Sequence, residues 1–334
     1  VYVMPLVKRN LMALGLGSLL IGVAALFASQ YESRNKTNDT KIRVGVSLTP
    51  LASPFLIAEH LGLFDDYDLD VTLYPCASGI ACTQLMLNRD VEYATASESV
   101  VMFQSFERKD LALLVSFVES DNDLKLLTLN PSEIGDVGAL QGKRVGVVKG
   151  SASEFYFDSV LIANNLKTLN VEKVYLQPHE LVPALLSYRV EAISAWEPMG
   201  YKADILSAAE VSNLGTPGIY QQSFNLLSTT PYLEFAGNEP TQLLGALDEA
   251  VEWINANPDK ALGIITKRLN IPANQVKWSW EDYVFRLSLG NSLLSNLQLQ
   301  ARWAVESGLV GSEQPDFRDL FFTQPYQQII ALRE

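Results

Sequence analysis

Residues 42–49 read IRVGVSLT and residues 143–150 read KRVGVVKG. In both, an arginine leads a short β-branched run that ends in a polar turn, the pattern of a buried parallel strand opening a βα unit. Two further landmarks recur downstream of each run. Val71-Thr72-Leu73-Tyr74-Pro75 returns as Val174-Tyr175-Leu176-Gln177-Pro178. Val91-Glu92-Tyr93-Ala94-Thr95-Ala96-Ser97-Glu98 returns as Val190-Glu191-Ala192-Ile193-Ser194-Ala195-Trp196-Glu197. Any two βαβ units share hydrophobic spacing. Three landmarks in one order, with Ala-x-Glu at the same strand end, favour a duplicated unit.

Working outward, short apolar runs alternate with helical patterns from Lys41 onward, which predicts an α/β fold with parallel sheets. Strands are expected over Ile42–Leu48, Val71–Tyr74 and Tyr93–Thr95, and helices over Pro54–Phe64, Ala81–Arg89 and Ser99–Lys109. Two similar lobes joined by crossing strands make a hinged clamp, with Leu124–Leu129 as outgoing crossover and Ser223–Ser228 as return. The expected organisation is residues 1–40 as leader and linker, 41–125 as the first part of lobe I, and 126–222 as lobe II. Residues 223–334 then return to lobe I and add helices at Thr241–Ala256, Asp259–Leu269, Trp280–Leu289 and Leu293–Ser307.

The leader carries Lys8 and Arg9 ahead of an uncharged apolar run, Leu11–Ala28. That is the layout of a secretory signal, and the run also reaches the lower limit for a membrane span. Cleaved signal and retained N-terminal anchor helix both stay open; either places the body outside the cytoplasm, periplasmic or extracytoplasmic. A formal net charge of −13 argues against a nucleic-acid partner, whose phosphate backbone calls for neutralising positive charge. Cys76 and Cys82 are the two cysteines. In an oxidising compartment a disulfide is one reading, and two half-buried thiols the other. Histidine occurs at His60 and His179 alone, away from both cysteines, so no metal site is expected.

In open α/β sheets ligands bind beyond the carboxyl ends of the strands, which in two facing lobes line a shared cleft. The segments directly after the strands are therefore the candidates: Leu48–Ser53, Cys76–Ile80, Ser97–Ser99, Lys149–Ser153, Pro178–Glu180 and Trp196–Pro198. Ser151, Ala152 and Ser153 follow a glycine at a helix start, where backbone N–H groups can hold an anion; an ordinary N-cap explains the same residues. Ser78 and Gly79 carry the argument more weakly, and Ser97 belongs with them. Trp196 at a strand end is a stacking platform, or else a core tryptophan. Glu98 and Glu197 hold equivalent places and could accept from a ligand amine, or serve their own helix ends. Phe155 is a further candidate wall, with helical core packing as its alternative. Enzymatic motifs are absent: there is no G-x-x-x-x-G-K-[ST], no H-E-x-x-H and no nucleophile elbow.

Residues 54–75 (PFLIAEHLGLFDDYDLDVTLYP) with 87–98 (LNRDVEYATASE), 140–153 (LQGKRVGVVKGSAS), 195–200 (AWEPMG) and 291–310 (NSLLSNLQLQARWAVESGLV) resemble the SsuA/THI5-like, or NMT1-like, solute-binding proteins. The resemblance runs from about Ile42 to the C-terminus, and the order of its motifs is what makes it specific. It implies a two-lobed periplasmic-binding-protein fold of type II, with two crossover strands. It also implies a monomer without cofactor that delivers a small molecule to an ABC permease in the inner membrane, and it maps the ligand onto Ser78–Gly79, Ser151–Ser153 and Trp196–Pro198. The cysteine-rich motif and active-site histidine of pyrimidine-synthesising relatives are not found, so an enzyme is not expected. A sensing module signalling through a membrane partner is the alternative. The paired glutamates and Trp196 rank a thiamine-type pyrimidine or other amine-bearing ligand first. Sulfonate, taurine or nitrate comes next, because no arginine stands in a candidate segment.

Overall fold

The computed structural model describes residues 41–129 and 134–333. The expected leader therefore lies outside the described residues. Among those residues no helix is long and apolar enough to cross a membrane.

Two sheets organise the chain. The first takes β1 (Ile42–Ser47), β2 (Val71–Cys76), β3 (Tyr93–Ser97), β4 (Leu111–Ser120), then after a long excursion β10 (Gln222–Thr229) and β11 (Val284–Ser288), in the order β11-β4-β10-β3-β1-β2. The second takes β5 (Leu124–Thr128), β6 (Arg144–Val147), β7 (Glu172–Tyr175), β8 (Ala192–Trp196) and the two-residue β9 (Ser212–Asn213), in the order β7-β6-β8-β5-β9. Each sheet holds a parallel trio with its first strand in the middle, β2-β1-β3 and β7-β6-β8. Against each trio lies an antiparallel strand next to the crossing, β10 beside β3 and β5 beside β8. Three residues, Asp121–Asp123, carry the chain from β4 into β5.

The repeat has a physical anchor at the foot of each trio. Arg43 at the start of β1 grips Glu92: its backbone N–H reaches Oε2 at 2.7 Å and Nη2 reaches Oε1 at 2.5 Å. Arg144 at the start of β6 grips Glu191 in the same way, at 2.8 and 2.6 Å. Each guanidinium also donates to a carbonyl in the preceding turn, that of Arg89 or of Tyr188, both residues held at positive φ. The recurring Arg and Val-Glu of the sequence are thus two ends of one clip, made twice.

The first sheet is filled by Val44, Phe55, Ile57 and Phe117, with Phe55 and Phe117 edge to face at 5.0 Å. The helix Glu239–Ala256 buries Leu243, Leu244 and Leu247 in the same core. The second sheet packs Leu181, Leu185 and Ile193 on one face. Between them, Leu126, Val145 and Phe157 join one apolar cluster with Ala94, Val101 and Leu297, so the core continues across the crossing.

One expected helix is corrected. Residues 280–289 do not form a helix: Ala273–Trp280 is helical and β11 comes after it. Tyr283, Phe285 and Leu287 are buried while Val284 and Arg286 are exposed, an alternation of two that suits an edge strand beside β4.

Candidate functional site

The carboxyl ends of β1, β2, β3, β6 and β8, with the start of β10, close around one cleft. Ser47, Thr49 and Leu51 come from the end of β1 and its turn, and Ala77, Ser78, Gly79 and Ile80 from the loop after β2. Ser97 and Val100 come from the end of β3 and the helix after it. The second sheet contributes Ser151 and Ala152 after β6 and Trp196 at the end of β8, while Gln222 and Phe224 reach in from β10. Nothing after β7 takes part.

Two helix starts aim at this space for local reasons. Ser78 caps the helix Gly79–Leu87 by accepting from Ala81 N at 3.3 Å. A Cβ on Gly79 would lie 2.9 Å from Ala96 Cα, so glycine is what lets this helix start press against β3. A disulfide between Cys76 and Cys82, Cα atoms 5.4 Å apart, closes the loop 77–81 from behind.

At the other start, Gly150 turns the chain at φ +63°, a region where side chains are strained. Its N–H is taken by Glu154 Oε2 at 3.0 Å. Ser151 donates to Val148 O at 2.7 Å and caps Ser153 N at 3.2 Å, so its hydroxyl serves its own helix, Ala152–Ala163. First-turn N–H groups have no intrahelical acceptor. Gly79, Ile80 and Ala152 therefore present donors, with the positive ends of two helix dipoles behind them.

None of the residues lining the cleft is charged. Lys149, next to the glycine turn, instead lies over the Tyr175 ring, 5.4 Å from its centroid. The cleft holds about 50 Å³, a few water positions at the ~10–15 Å³ that one water needs. That volume suits a small ligand or a small head group.

The cleft brings together Ser78, Gly79, Ser97, Ser151, Ala152 and Trp196 from the candidate residues. Four others are placed elsewhere. Glu98 is fully buried and faces the return crossover, accepting from the Tyr220 hydroxyl, from Ser223 N at 2.8 Å and from Gln300 Nε2 at 3.0 Å. Its burial pushes its pKa up, and these donors pull it back. Glu197 accepts from Trp278 Nε1 at 2.9 Å and from Tyr201 N at 3.2 Å; burial raises its pKa too. Both carboxylates are buried against protein donors and neither lines the cleft, which removes the ground for ranking an amine-bearing ligand first. Ser153 is locked to β8, its hydroxyl donating to Ser194 O at 2.7 Å. Phe155 packs edge to face on Tyr220 and Trp303, at 5.2 and 5.1 Å.

Gln222 and Phe224 are cleft residues outside the candidate segments. They lie two apart on the return strand, and a period of two along a strand that crosses the cleft puts both on one face. Among the described residues no group of three or more histidine, cysteine or acidic residues could hold a metal ion.

A family model described as "NMT1/THI5 like" matches residues 49–261. A protein of Bacillus subtilis (strain 168), named for binding aliphatic sulfonates, is 27% identical over 256 residues, covering 73% of each chain. Among solved structures, the periplasmic aliphatic sulphonate binding protein SsuA from Escherichia coli superposes with a TM-score of 0.74 at 19% identity, over 85% of this chain and 92% of that one. The alkanesulfonate-binding protein SsuA from Xanthomonas axonopodis pv. citri, bound to MOPS, gives 0.73 at 19% identity, over 85% and 98%.

Proposed function

This chain belongs to the NMT1/THI5-like family, and we propose that it is the extracytoplasmic solute-binding component of an ABC importer, capturing a small sulfonate in the cleft between its two sheets. It is a binder rather than an enzyme, in keeping with relatives named for binding.

The observation that carries the ligand class is the convergence of two helix starts on a space with no charged wall. A sulfonate offers three weakly basic oxygens, which suit several neutral N–H and O–H donors and the helix dipoles. No arginine is needed for such an anion to be held. The apolar remainder, Leu51, Ile80, Val100, Trp196 and Phe224, suits a short alkyl portion. A pyrimidine is disfavoured because the two carboxylates that would read its amine are buried on protein donors and stand outside the cleft lining.

In this reading Ser78, Gly79, Ser97, Ser151, Ala152 and Trp196 touch the ligand. The two sheets close on it about β4–β5 and β9–β10, and the closed form meets a permease in the inner membrane. Isothermal titration and thermal melting with short alkanesulfonates, nitrate and an aminopyrimidine test it. Sulfonates should bind one to one and raise the melting point, since ligand at a hundred times Kd adds about 2.7 kcal/mol. A shift with the pyrimidine alone, or with none of them, defeats the proposal.

A further inference from the structure

We propose that Gln222 reads a hydrogen-bond donor on the ligand, so that the cleft selects small sulfonates bearing a hydroxyl or amine over bare alkyl ones. This rests on the sulfonate reading above and narrows it.

Gln222 opens β10, the strand that returns from the second sheet to the first. It is 5% exposed and lines the cleft. Its Oε1 is buried and has no hydrogen-bond partner among the described residues. Polar neighbours on the same strand are not in that position. Ser223 donates to Glu98, and Asn225 Nδ2 donates to Ala96 O at 3.3 Å. Buried acceptors are rarely left unmatched, because the desolvation of the group is then uncompensated. The rest of the cleft supplies donors at the helix starts, fit for the acid group. Gln222 Oε1 is an acceptor, which an acid group cannot use, while the amide N–H pair of the same side chain adds to the donors that an acid group can use. A ligand with both features satisfies both ends of the cleft. An alkyl sulfonate of equal length leaves Oε1 as orphaned as before.

The test pairs 2-hydroxyethanesulfonate with ethanesulfonate, titrated calorimetrically into the full chain and into its Gln222→Met variant, which keeps the length of the side chain and lacks the amide. The native protein should prefer the hydroxylated ligand by on the order of tenfold. In the variant the preference should fall to within about twofold, with ethanesulfonate still bound. Equal affinity for the two ligands on the native protein overturns the inference, and that arm does not depend on the variant folding. A preference that survives in Gln222→Met, or an equal loss of both ligands, overturns it as well. Failure of both sulfonates to bind the native protein defeats the sulfonate reading and this inference together. Binding without discrimination defeats this inference alone.

Discussion

The indole Nε1 of Trp278 donates to Glu197 Oε1 at 2.9 Å. Trp278 sits on the helix Ala273–Trp280, just before β11 of the first sheet, and Glu197 comes directly after β8 of the second. Tyr201 packs edge to face on the same indole at 5.8 Å. Nearby, Tyr283 donates to Asp123 Oδ1 at 2.8 Å and Asn122 Nδ2 to Asp282 Oδ2 at 2.9 Å. The two sheets are therefore tied by hydrogen bonds to carboxylates beside the outgoing crossover.

Removing the indole donor should loosen this tie. A hydrogen bond to a charged group is worth about 1.5–3 kcal/mol. Part of that is expected to hold the two sheets against each other rather than to stabilise each sheet on its own. Trp278→Phe keeps the packing on Tyr201 and should weaken ligand binding by roughly three- to tenfold. Small-angle scattering should show a larger radius of gyration without ligand. Unchanged affinity and an unchanged radius would show that the bond does not contribute to closure.

Asp123 makes stability depend on pH. Burial, then the charge of Glu197, raise its pKa to about 7, from 3.8; Tyr283 and Lys125 oppose the rise and Asp282 adds to it. Its Oδ2 has no hydrogen-bond partner among the described residues. A carboxyl whose pKa is higher folded than unfolded binds its proton more tightly when folded. Its favourable contribution is therefore complete below about pH 4 and is lost as pH climbs through about 7. Glu98 and Glu197 shift in the same direction. Unfolding free energy should accordingly decline between about pH 5 and 8. Asp123→Asn should flatten the decline and be more stable than the native protein at about pH 8 by about 1–3 kcal/mol. Urea titrations at several pH values read both slopes. Parallel slopes would mean that Asp123 titrates normally.

The disulfide should matter more to binding than to folding. Cys76 and Cys82 bracket the residues that line one wall, Ala77 to Ile80. The loop it closes is short, so its stabilisation belongs at the low end of the usual ~2–4 kcal/mol. The double variant Cys76→Ser, Cys82→Ser should fold, melt lower, and bind ligand at least several-fold more weakly, because the helix start at Gly79 is no longer held in place. Native affinity in that variant would mean that packing of Gly79 on Ala96 suffices to hold the wall.

What the sequence discloses depends on which features are local. The duplication is legible because Arg43 with Glu92, and Arg144 with Glu191, must recur wherever the same clip is built. The cleft segments are legible because a parallel strand delivers its carboxyl end to a fixed side of the sheet. Partners distant in sequence are not legible. Glu98 and Glu197 match in the repeat, yet one begins a helix against Tyr220 and Gln300 and the other meets Trp278. Those partners come from the return crossover and the C-terminal helices, which have no counterpart in the duplicated unit. Gln222 escapes a reading of the sequence because it becomes a cleft residue only once β10 is known to border the cleft. The difference at residues 280–289 has a local cause: Tyr283, Phe285 and Leu287 form an alternation short enough to be read as a helix face.

Glu98 provides the sharpest separation of scaffold from site. It stands directly after Ser97, which lines the cleft, yet its side chain points to Tyr220, Ser223 and Gln300. Ser99 completes the network by donating to Gln300 Oε1 at 2.6 Å. Replacing Glu98 with glutamine turns one acceptor into a donor among groups that already donate, leaving at least one buried N–H unmatched. The expected cost is about 1–3 kcal/mol of stability, read as a lower denaturation midpoint in urea. Because the network fixes the return crossover rather than the ligand, Glu98→Gln should bind the same ligand within about threefold of the native affinity. An affinity loss of about a hundredfold with an unchanged midpoint would reverse the assignment and return Glu98 to the ligand.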